Sequence, residues 1–184
     1  MRNTAAILLV LILCAATAQA AAPKAGDTLP DAQVKSQLKP EEARYLGLPE
    51  GAASFRLSQI NADALIVEIY SMYCPICQSE ARTVNKVFER IAAAPKAARV
   101  RFVGIGAGNT PYEIDYFRKK HPSAMPLFAD EDYGLHKTFM NVRTPSFFVL
   151  KKRPEGGFAV VYYREGGFTD EDAFFEQIFG AATR

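Results

Sequence analysis

The chain has 184 residues, of which 49% are hydrophobic, and its formal net charge is +2. This length fits a single domain with a sizeable core. Its Lys and Arg residues form no basic run, so we expect no nucleic-acid partner.

The N-terminus has the pattern of a cleaved signal peptide. Arg2 precedes an uncharged apolar stretch at residues 5–13, and a small-x-small tripeptide of the kind that signal peptidase accepts ends at Ala20. The apolar stretch is shorter than the ~20 residues of a comfortable membrane span, although a retained anchor is an alternative. Lipidation of Cys14 is another alternative, but Leu13 stands where lipoprotein signals usually carry a small residue. We expect this leader to be removed and the protein to be periplasmic.

A segment rich in Pro, Gly and charge follows at residues 21–53, with one helix-like piece at 40–46. We expect this segment to pack along the edge of the domain. The first strong strand is predicted at residues 65–70, where a nearly continuous apolar run is typical of a parallel strand buried on both faces. The stretch SMYCPIC, which ends at Cys77, comes directly after this strand. A helix is predicted next, ending at Pro95, because apolar residues recur at helical spacing at Ala81, Val84, Val87, Phe88 and Ile91.

Loss of the leader would leave two cysteines, Cys74 and Cys77, in one C-x-x-C of an exported protein. A disulfide across two intervening residues closes a very short loop, and the stabilisation expected from a disulfide grows with loop length. Redox chemistry therefore explains the pair better than a structural role. A zinc site would need further ligands, and the two histidines, His121 and His136, are more typical of surface or core positions. We expect no metal.

The remaining chain alternates between strands and helices. Strands are predicted at residues 100–105, 125–128, 146–150 and 159–163. A capping box with proline at the first helical position begins a helix at Thr110-Pro111, and further helices are predicted at 132–140 and after Thr169. The order βαβα(βα)ββα is that of an α/β domain.

A strand that runs into C-x-x-C at a helix start, with Thr144-Pro145 before a later strand and hairpin, resembles the thioredoxin superfamily. The leader and the extra segment at 108–140 make the chain similar to the TlpA/ResA branch of periplasmic thiol-disulfide reductases. The resemblance implies a thioredoxin-like fold: a central mixed β-sheet flanked by helices, with an αβ insertion before a cis-proline strand. We divide the chain into a signal peptide (1–20), an N-terminal edge segment (21–53) and a thioredoxin-like domain (54–184).

The two cysteines have distinct predicted roles. Cys74 lies at the first turn of a helix, where unpaired N–H groups and the helix dipole favour a thiolate, so it is the candidate nucleophile. Cys77 lies deeper in the helix and resolves the mixed disulfide formed with a partner. The redox-active Cys74–Cys77 disulfide therefore replaces any cofactor, and we expect no small-molecule cofactor.

Two carboxylates are candidate proton-transfer groups. Glu68 lies in an otherwise apolar strand, where burial raises the pKa of a carboxyl. Thioredoxin-like proteins carry a buried acid six residues before the first cysteine, so the resemblance implies that Glu68 is the general base for the resolving thiol. The alternative is an edge-strand glutamate facing water. The branch motif C-x-x-C-x-x-E implies that Glu80 tunes the thiols and assists proton transfer, whereas a solvated glutamate near the helix start is the alternative.

Four residues are predicted at the substrate side of the motif. The resemblance implies that Thr144-Pro145 holds a cis-proline against the sulfurs, next to backbone that pairs with an extended substrate; an ordinary trans proline is the alternative. Pro75 and Ile76 lie between the cysteines. Branch members usually carry Trp before the first cysteine and Pro before the second, whereas this chain has Tyr73 and Ile76. Pro75 is instead similar to DsbA and glutaredoxins, so the direction of electron flow stays open.

The sequence thus predicts an exported thiol-disulfide oxidoreductase acting on protein thiols or disulfides. The resemblance implies a reductant, for example in cytochrome c maturation, that a membrane electron donor regenerates. A DsbA-like oxidase is an alternative, although that family carries a larger helical domain. A peroxiredoxin would need a P-x-x-x-T-x-x-C context, which Cys74 lacks. A Sco-like copper-binding assembly factor, with two cysteines and a histidine such as His136, is the alternative from another class, since thiolates suit Cu(I).

Overall fold

The computed structural model describes residues 22–94 and 99–184. The predicted signal peptide, Cys14 and Pro95 lie outside the described residues. The strands are β1 (Thr28–Leu29), β2 (Gln33–Lys35), β3 (Ser54–Arg56), β4 (Ala64–Tyr70), β5 (Val100–Ala107), β6 (Leu127–Asp130), β7 (Ser146–Lys152) and β8 (Phe158–Glu165). The helices are α1 (Pro40–Leu46), α2 (Pro75–Ala93), α3 (Pro111–Lys120), α4 (Gly134–Thr138) and α5 (Glu171–Thr183), with a 3₁₀ turn at Leu57–Gln59.

Six strands form one mixed sheet in the order β1-β8-β7-β4-β5-β6. Strands β4, β5 and β6 are parallel, whereas β7 is antiparallel to β4, and β8 pairs antiparallel with both β7 and β1. All seven residues of β4 are buried, because this strand has a neighbour on each side and helices over both faces. The predicted central mixed sheet flanked by helices is confirmed.

The two faces of the sheet carry separate cores. Helices α2, α3 and α5 cover one face, where Ile66, Phe102 and Phe147 are fully buried. The other face is covered by α1, α4 and the two-stranded ribbon β2–β3, over Val67 and Phe148. Alternation along β4 therefore sends Leu65, Val67 and Ile69 to one core, and Ala64, Ile66 and Tyr70 to the other.

The N-terminal segment contributes to both the sheet and the core. Strand β1 extends the sheet at its edge by pairing with β8. Helix α1 occupies the predicted residues 40–46, and its Leu46 is fully buried, as is Val34 of β2. Apolar side chains of this segment thus fill the core on the α4 face of the sheet.

Two predicted elements in the insertion have different bounds. The strand predicted at 125–128 begins later, at Leu127, because Pro126 accepts a bond from Gly104 N–H (2.8 Å) but has no N–H to donate to the ladder. The helix predicted at 132–140 is shorter. It starts after Tyr133, which adopts a left-handed conformation, and ends before Met140, which does so too.

The capping box predicted at the start of α3 is confirmed. Thr110 N–H donates to Glu113 Oε2 (2.7 Å), and Glu113 N–H donates to Thr110 Oγ1 (3.3 Å). Across residues 22–94 and 99–184, no helix combines the length and the apolar character needed to cross a bilayer.

Candidate active site

The motif lies where the central strand β4 runs into helix α2. Cys74 is the N-cap residue of α2 and Pro75 occupies the first helical position, where its missing N–H costs nothing and its fixed φ suits the helix. The motif therefore sits at the carboxyl end of the parallel strands. Cys74 and Cys77 are not bonded to each other, so the structure represents the dithiol form.

The Cys74 thiol lies in a setting that favours its ionised form. Its Sγ accepts a hydrogen bond from Cys77 N–H (3.5 Å) at the open N-terminal turn of α2. Partial burial acts against the thiolate, but N–H groups of Cys77 and Ile76 and the Thr144 side chain outweigh it, so the pKa of Cys74 falls below its ordinary value. Cys74 is thus the more readily ionised thiol of the pair, as its role of nucleophile requires.

Cys77 has the opposite character. It is 2% exposed, and its burial, together with the charge of Glu68, raises the pKa of its thiol far above the ordinary value. A thiol in this position stays protonated at neutral pH and needs a base to become a nucleophile.

Glu68 is the candidate base for the Cys77 thiol. It lies in the middle of β4, opposite Gly104 of β5 and Phe147 of β7, and is 5% exposed. Burial is the main reason that its pKa rises to about 8, with further contributions from the charges of Glu80 and Cys74. The alternative of an edge glutamate facing water does not hold, since β4 is a central strand.

Glu68 and Cys77 line one small cavity between β4, α2 and α3. Its volume is about 10 Å³, which is room for about one water molecule. Apolar side chains form most of its wall, among them Val84, Phe117 and Leu127. A proton can pass from the Cys77 thiol to the Glu68 carboxylate across this space.

Glu80 lies on α2, three residues after Cys77. Its Oε1 accepts a hydrogen bond from Phe168 N–H (2.8 Å), which ties α2 to the loop between β8 and α5. Its Oε2 is buried and has no hydrogen-bond partner among the described residues. Burial raises the pKa of Glu80, although Phe168 N–H and Arg164 oppose this. Glu80 thus acts electrostatically on Glu68, whose pKa it raises.

The residues predicted at the substrate side gather around Cys74. The Thr144–Pro145 peptide bond is cis, as the resemblance implies, and the carbonyl oxygen of Thr144 accepts a hydrogen bond from Cys74 Sγ (3.3 Å). Pro145 is buried, and its carbonyl accepts from Gly166 N–H (2.8 Å). Pro75 and Ile76 are exposed, with Ile76 at 48%. The structure therefore places seven of the eight predicted site residues around the carboxyl end of β4, whereas Glu68 lies further back within that strand.

Three further residues hold the motif in place and were not identified from the sequence. Asn109, fully buried after β5, accepts a hydrogen bond from Met72 N–H (2.9 Å) through its side-chain oxygen. Gln78 donates to the Met72 carbonyl (2.7 Å), and the Tyr73 hydroxyl donates to Glu113. The available signal for Asn109 was its position, since a polar residue directly after a parallel strand lies at the same sheet edge as the motif.

The two histidines occupy different parts of the molecule. His121 ends α3 and lines the cavity that Glu68 and Cys77 share. His136 lies on α4, and its Nε2 is 2.7 Å from the Val142 carbonyl oxygen. Within residues 22–94 and 99–184, no three or more His, Cys, Asp or Glu side chains are grouped so as to hold a metal ion.

A family model described as the AhpC/TSA family matches residues 25–155. A search of the curated proteins found no match.

Solved structures share the fold at low sequence identity. A thiol:disulfide interchange protein of the thioredoxin family from Chlorobium tepidum TLS aligns with a TM-score of 0.59 at 19% identity, over 89% of this chain and 99% of its own. A secreted disulfide oxidoreductase of Mycobacterium tuberculosis, homologous to E. coli DsbE, gives 0.54 at 18% identity, over 70% and 90%. StoA from Bacillus subtilis gives 0.57 at 16% identity, over 82% and 98%. The shared architecture is the thioredoxin-like fold that the sequence predicts.

Proposed function

Because the chain belongs to the AhpC/TSA family and has a thioredoxin-like fold, we propose that it is an exported thiol-disulfide oxidoreductase that exchanges disulfides with partner proteins. One observation carries this proposal. An activated thiol, Cys74, stands at the N-terminus of α2 beside a shielded thiol, Cys77, which shares a cavity with the buried carboxyl of Glu68. Cys74 lacks the P-x-x-x-T-x-x-C context of a peroxidatic cysteine, which favours disulfide exchange over peroxide reduction.

The proposed reaction runs in two displacements. The Cys74 thiolate attacks a partner disulfide, one partner sulfur leaves as a thiolate, and a mixed disulfide forms. Cys77 then gives its proton to Glu68 and attacks the Cys74 sulfur. The Cys74–Cys77 bond forms as the mixed disulfide breaks, and the second partner thiolate leaves. Two electrons pass from the enzyme dithiol to the partner disulfide.

The surroundings of Cys74 support a partner that binds as an extended segment. The cis Thr144–Pro145 bond and the Thr144 carbonyl lie against the nucleophilic sulfur, and the exposed Ile76 and Tyr73 flank it with apolar surface. A polypeptide lying across Thr144 would bring its cysteine to Cys74 and bury part of this surface.

We assign the direction of electron flow as reduction of the partner. The groups that favour the Cys74 thiolate, which are N–H groups and Thr144, carry no charge. Strongly oxidising dithiols owe their high potential to a strongly stabilised reduced form. Because neutral groups stabilise a thiolate less than a nearby positive charge does, we expect this pair to be less oxidising. A membrane electron donor would then regenerate the dithiol in the periplasm. Maturation of cytochrome c is one process that needs such a reductant.

Trapping tests the exchange reaction. A Cys77→Ala variant cannot resolve the mixed disulfide, so it is expected to accumulate disulfide-linked adducts through Cys74 that disappear on reduction. A variant with both cysteines replaced is the matched control. Absence of any adduct with a thiol or disulfide protein would refute disulfide exchange.

A redox titration tests the direction. We expect a potential closer to that of thioredoxin, about −270 mV, than to that of DsbA, about −120 mV. A value at the oxidising end would overturn the assignment as a reductant. Stoichiometric copper retention by the reduced protein, lost on replacement of both cysteines, would instead support the copper-binding alternative.

A further inference from the structure

The cavity beside Cys77 has a second titratable wall. His121, at the C-terminal end of α3, lines the cavity together with Glu68 and Cys77. Its Nε2 is buried and has no hydrogen-bond partner among the described residues. The ring packs against Phe117, with 4.8 Å between ring centroids, and the residue as a whole keeps part of its surface in solvent. His121 therefore contacts both the cavity and solvent.

The proposed reaction needs such a connection. Each turnover leaves the Cys77 proton on Glu68, and this carboxyl must lose the proton to solvent before it can act as a base again. Glu68 lies in a central strand and is only 5% exposed, so it has almost no direct contact with bulk water. The cavity that Glu68 shares with His121 offers this proton a route.

We propose that His121 transfers protons between Glu68 and solvent during the resolution step, and thus acts through Glu68 rather than on the sulfurs. Glu68 releases its proton to a water in the cavity, which passes a proton to Nε2 of His121. The imidazolium then loses a proton to solvent and returns to the neutral ring. When the Cys74–Cys77 disulfide is reduced, the same transfers run in reverse. This inference rests on the proposed function.

The charges around His121 favour release of a proton to solvent. Burial, with the positive charges of Lys120 on α3 and Arg82 on α2, lowers the pKa of His121 below that of Glu68, so the imidazolium forms only transiently and passes its proton on to solvent. The charge of Glu80, on α2, raises the pKa of Glu68.

The other polar side chain in the wall has partners already. Ser123 Oγ donates to Asn85 (2.7 Å) and accepts from Met125 N–H (3.1 Å). Glu68 and Cys77 are the reacting groups of the wall. Besides them, the unpartnered Nε2 of His121 is the polar side-chain atom that can bond a water in the cavity.

The resolution step can be measured alone with an aromatic disulfide such as 5,5′-dithiobis(2-nitrobenzoate). The reduced protein releases one coloured thiolate when Cys74 attacks and a second when Cys77 resolves the adduct. With a pKa of about 8, Glu68 is mostly protonated at pH 7 and must lose its proton to solvent before it can take the proton of Cys77, so the rate of the second release reports this loss. The readout is this rate as a function of imidazole concentration, at constant pH and ionic strength.

In dilute buffer, His121→Ala is expected to slow the second release by roughly tenfold, less than the ~10² expected from loss of the base itself. Added imidazole should restore the rate in His121→Ala, because it replaces the missing proton carrier. It should leave the wild type unchanged, and it should not rescue Glu68→Gln. His121→Phe keeps a ring against Phe117 and should also be slow, which separates proton transfer from packing. His136→Ala is the control for loss of a histidine elsewhere.

Two results would overturn the inference. One is second release at the wild-type rate in His121→Ala and His121→Phe; the other is slow release that imidazole does not change. Failure of the proposed function looks different, because the wild type itself would then give no second release that depends on Cys77.

Discussion

Replacing Glu68 with Gln should stabilise the folded protein, and increasingly so as the pH rises. The carboxyl has its ordinary pKa of 4.5 in the unfolded chain, whereas burial, helped by Glu80 and Cys74, raises it to about 8 in the folded protein. Below pH 4.5 both states carry the proton, and Glu68 has no pH-dependent effect. Above pH 4.5, Glu68 ionises in the unfolded chain but not in the folded protein. The free energy of unfolding therefore falls as the pH rises, until Glu68 ionises in the folded protein as well. Gln has no such dependence.

The size of the effect follows from the two pKa values. Each pH unit between 4.5 and about 8 favours unfolding by about 1.4 kcal/mol, for a total of roughly 5 kcal/mol. At pH 5, part of this loss of stability has already occurred, because Glu68 is mostly ionised in the unfolded chain. The gain from Glu68→Gln is therefore expected to increase by roughly 4 kcal/mol between pH 5 and pH 8.5.

Urea unfolding of the reduced proteins at these two pH values measures this increase. The difference in free energy of unfolding between Glu68→Gln and the wild type cancels the titration of groups that are not coupled to Glu68. Glu176→Gln, an exposed change of the same kind on α5, is the control. A difference that is equal at both pH values would show that Glu68 is not held neutral by burial, and would refute its role as a base with a raised pKa.

Three further changes test the site and its scaffold. Cys74 should be alkylated by iodoacetamide near neutral pH well before the second cysteine of the motif, as peptide mass spectrometry would reveal; the reverse order would contradict the lowered pKa of Cys74. Thr110→Ala removes the cap of α3 and should cost about 1 kcal/mol in urea unfolding, whereas no loss would contradict the capping. Gly104→Ala places a methyl group 2.6 Å from Leu127 and should cost about 1–3 kcal/mol. Gly180→Ala, which meets nothing, is its control, and equal effects would refute the close packing.

Local patterns in the sequence were sufficient for the elements that carry the motif. The apolar run at 65–70 predicted a strand buried on both faces, and β4 is that strand. Helical periodicity after Cys77, with proline at the first position, predicted α2 and the place of Cys74 at its start. The apolar neighbours of Glu68 predicted its burial, because side chains on both faces of a central strand have no route to water.

What the sequence did not determine are the contacts between residues far apart in the chain. It did not predict that Asn109 would hold the backbone at Met72, that Glu80 would bond Phe168 N–H, or that His121 would share a cavity with Glu68. Periodicity and capping depend on neighbours a few residues away, so the sequence predicts strongly periodic elements such as β4 and α2 but misses short strands such as β1 and shifts the bounds of β6 and α4. Contacts across the fold depend on strand register and on how helices pack over the sheet, which are set by all side chains of the core together. The sequence determines which two cysteines react and where they lie on α2. The tertiary structure determines which groups surround Cys77 and can take its proton.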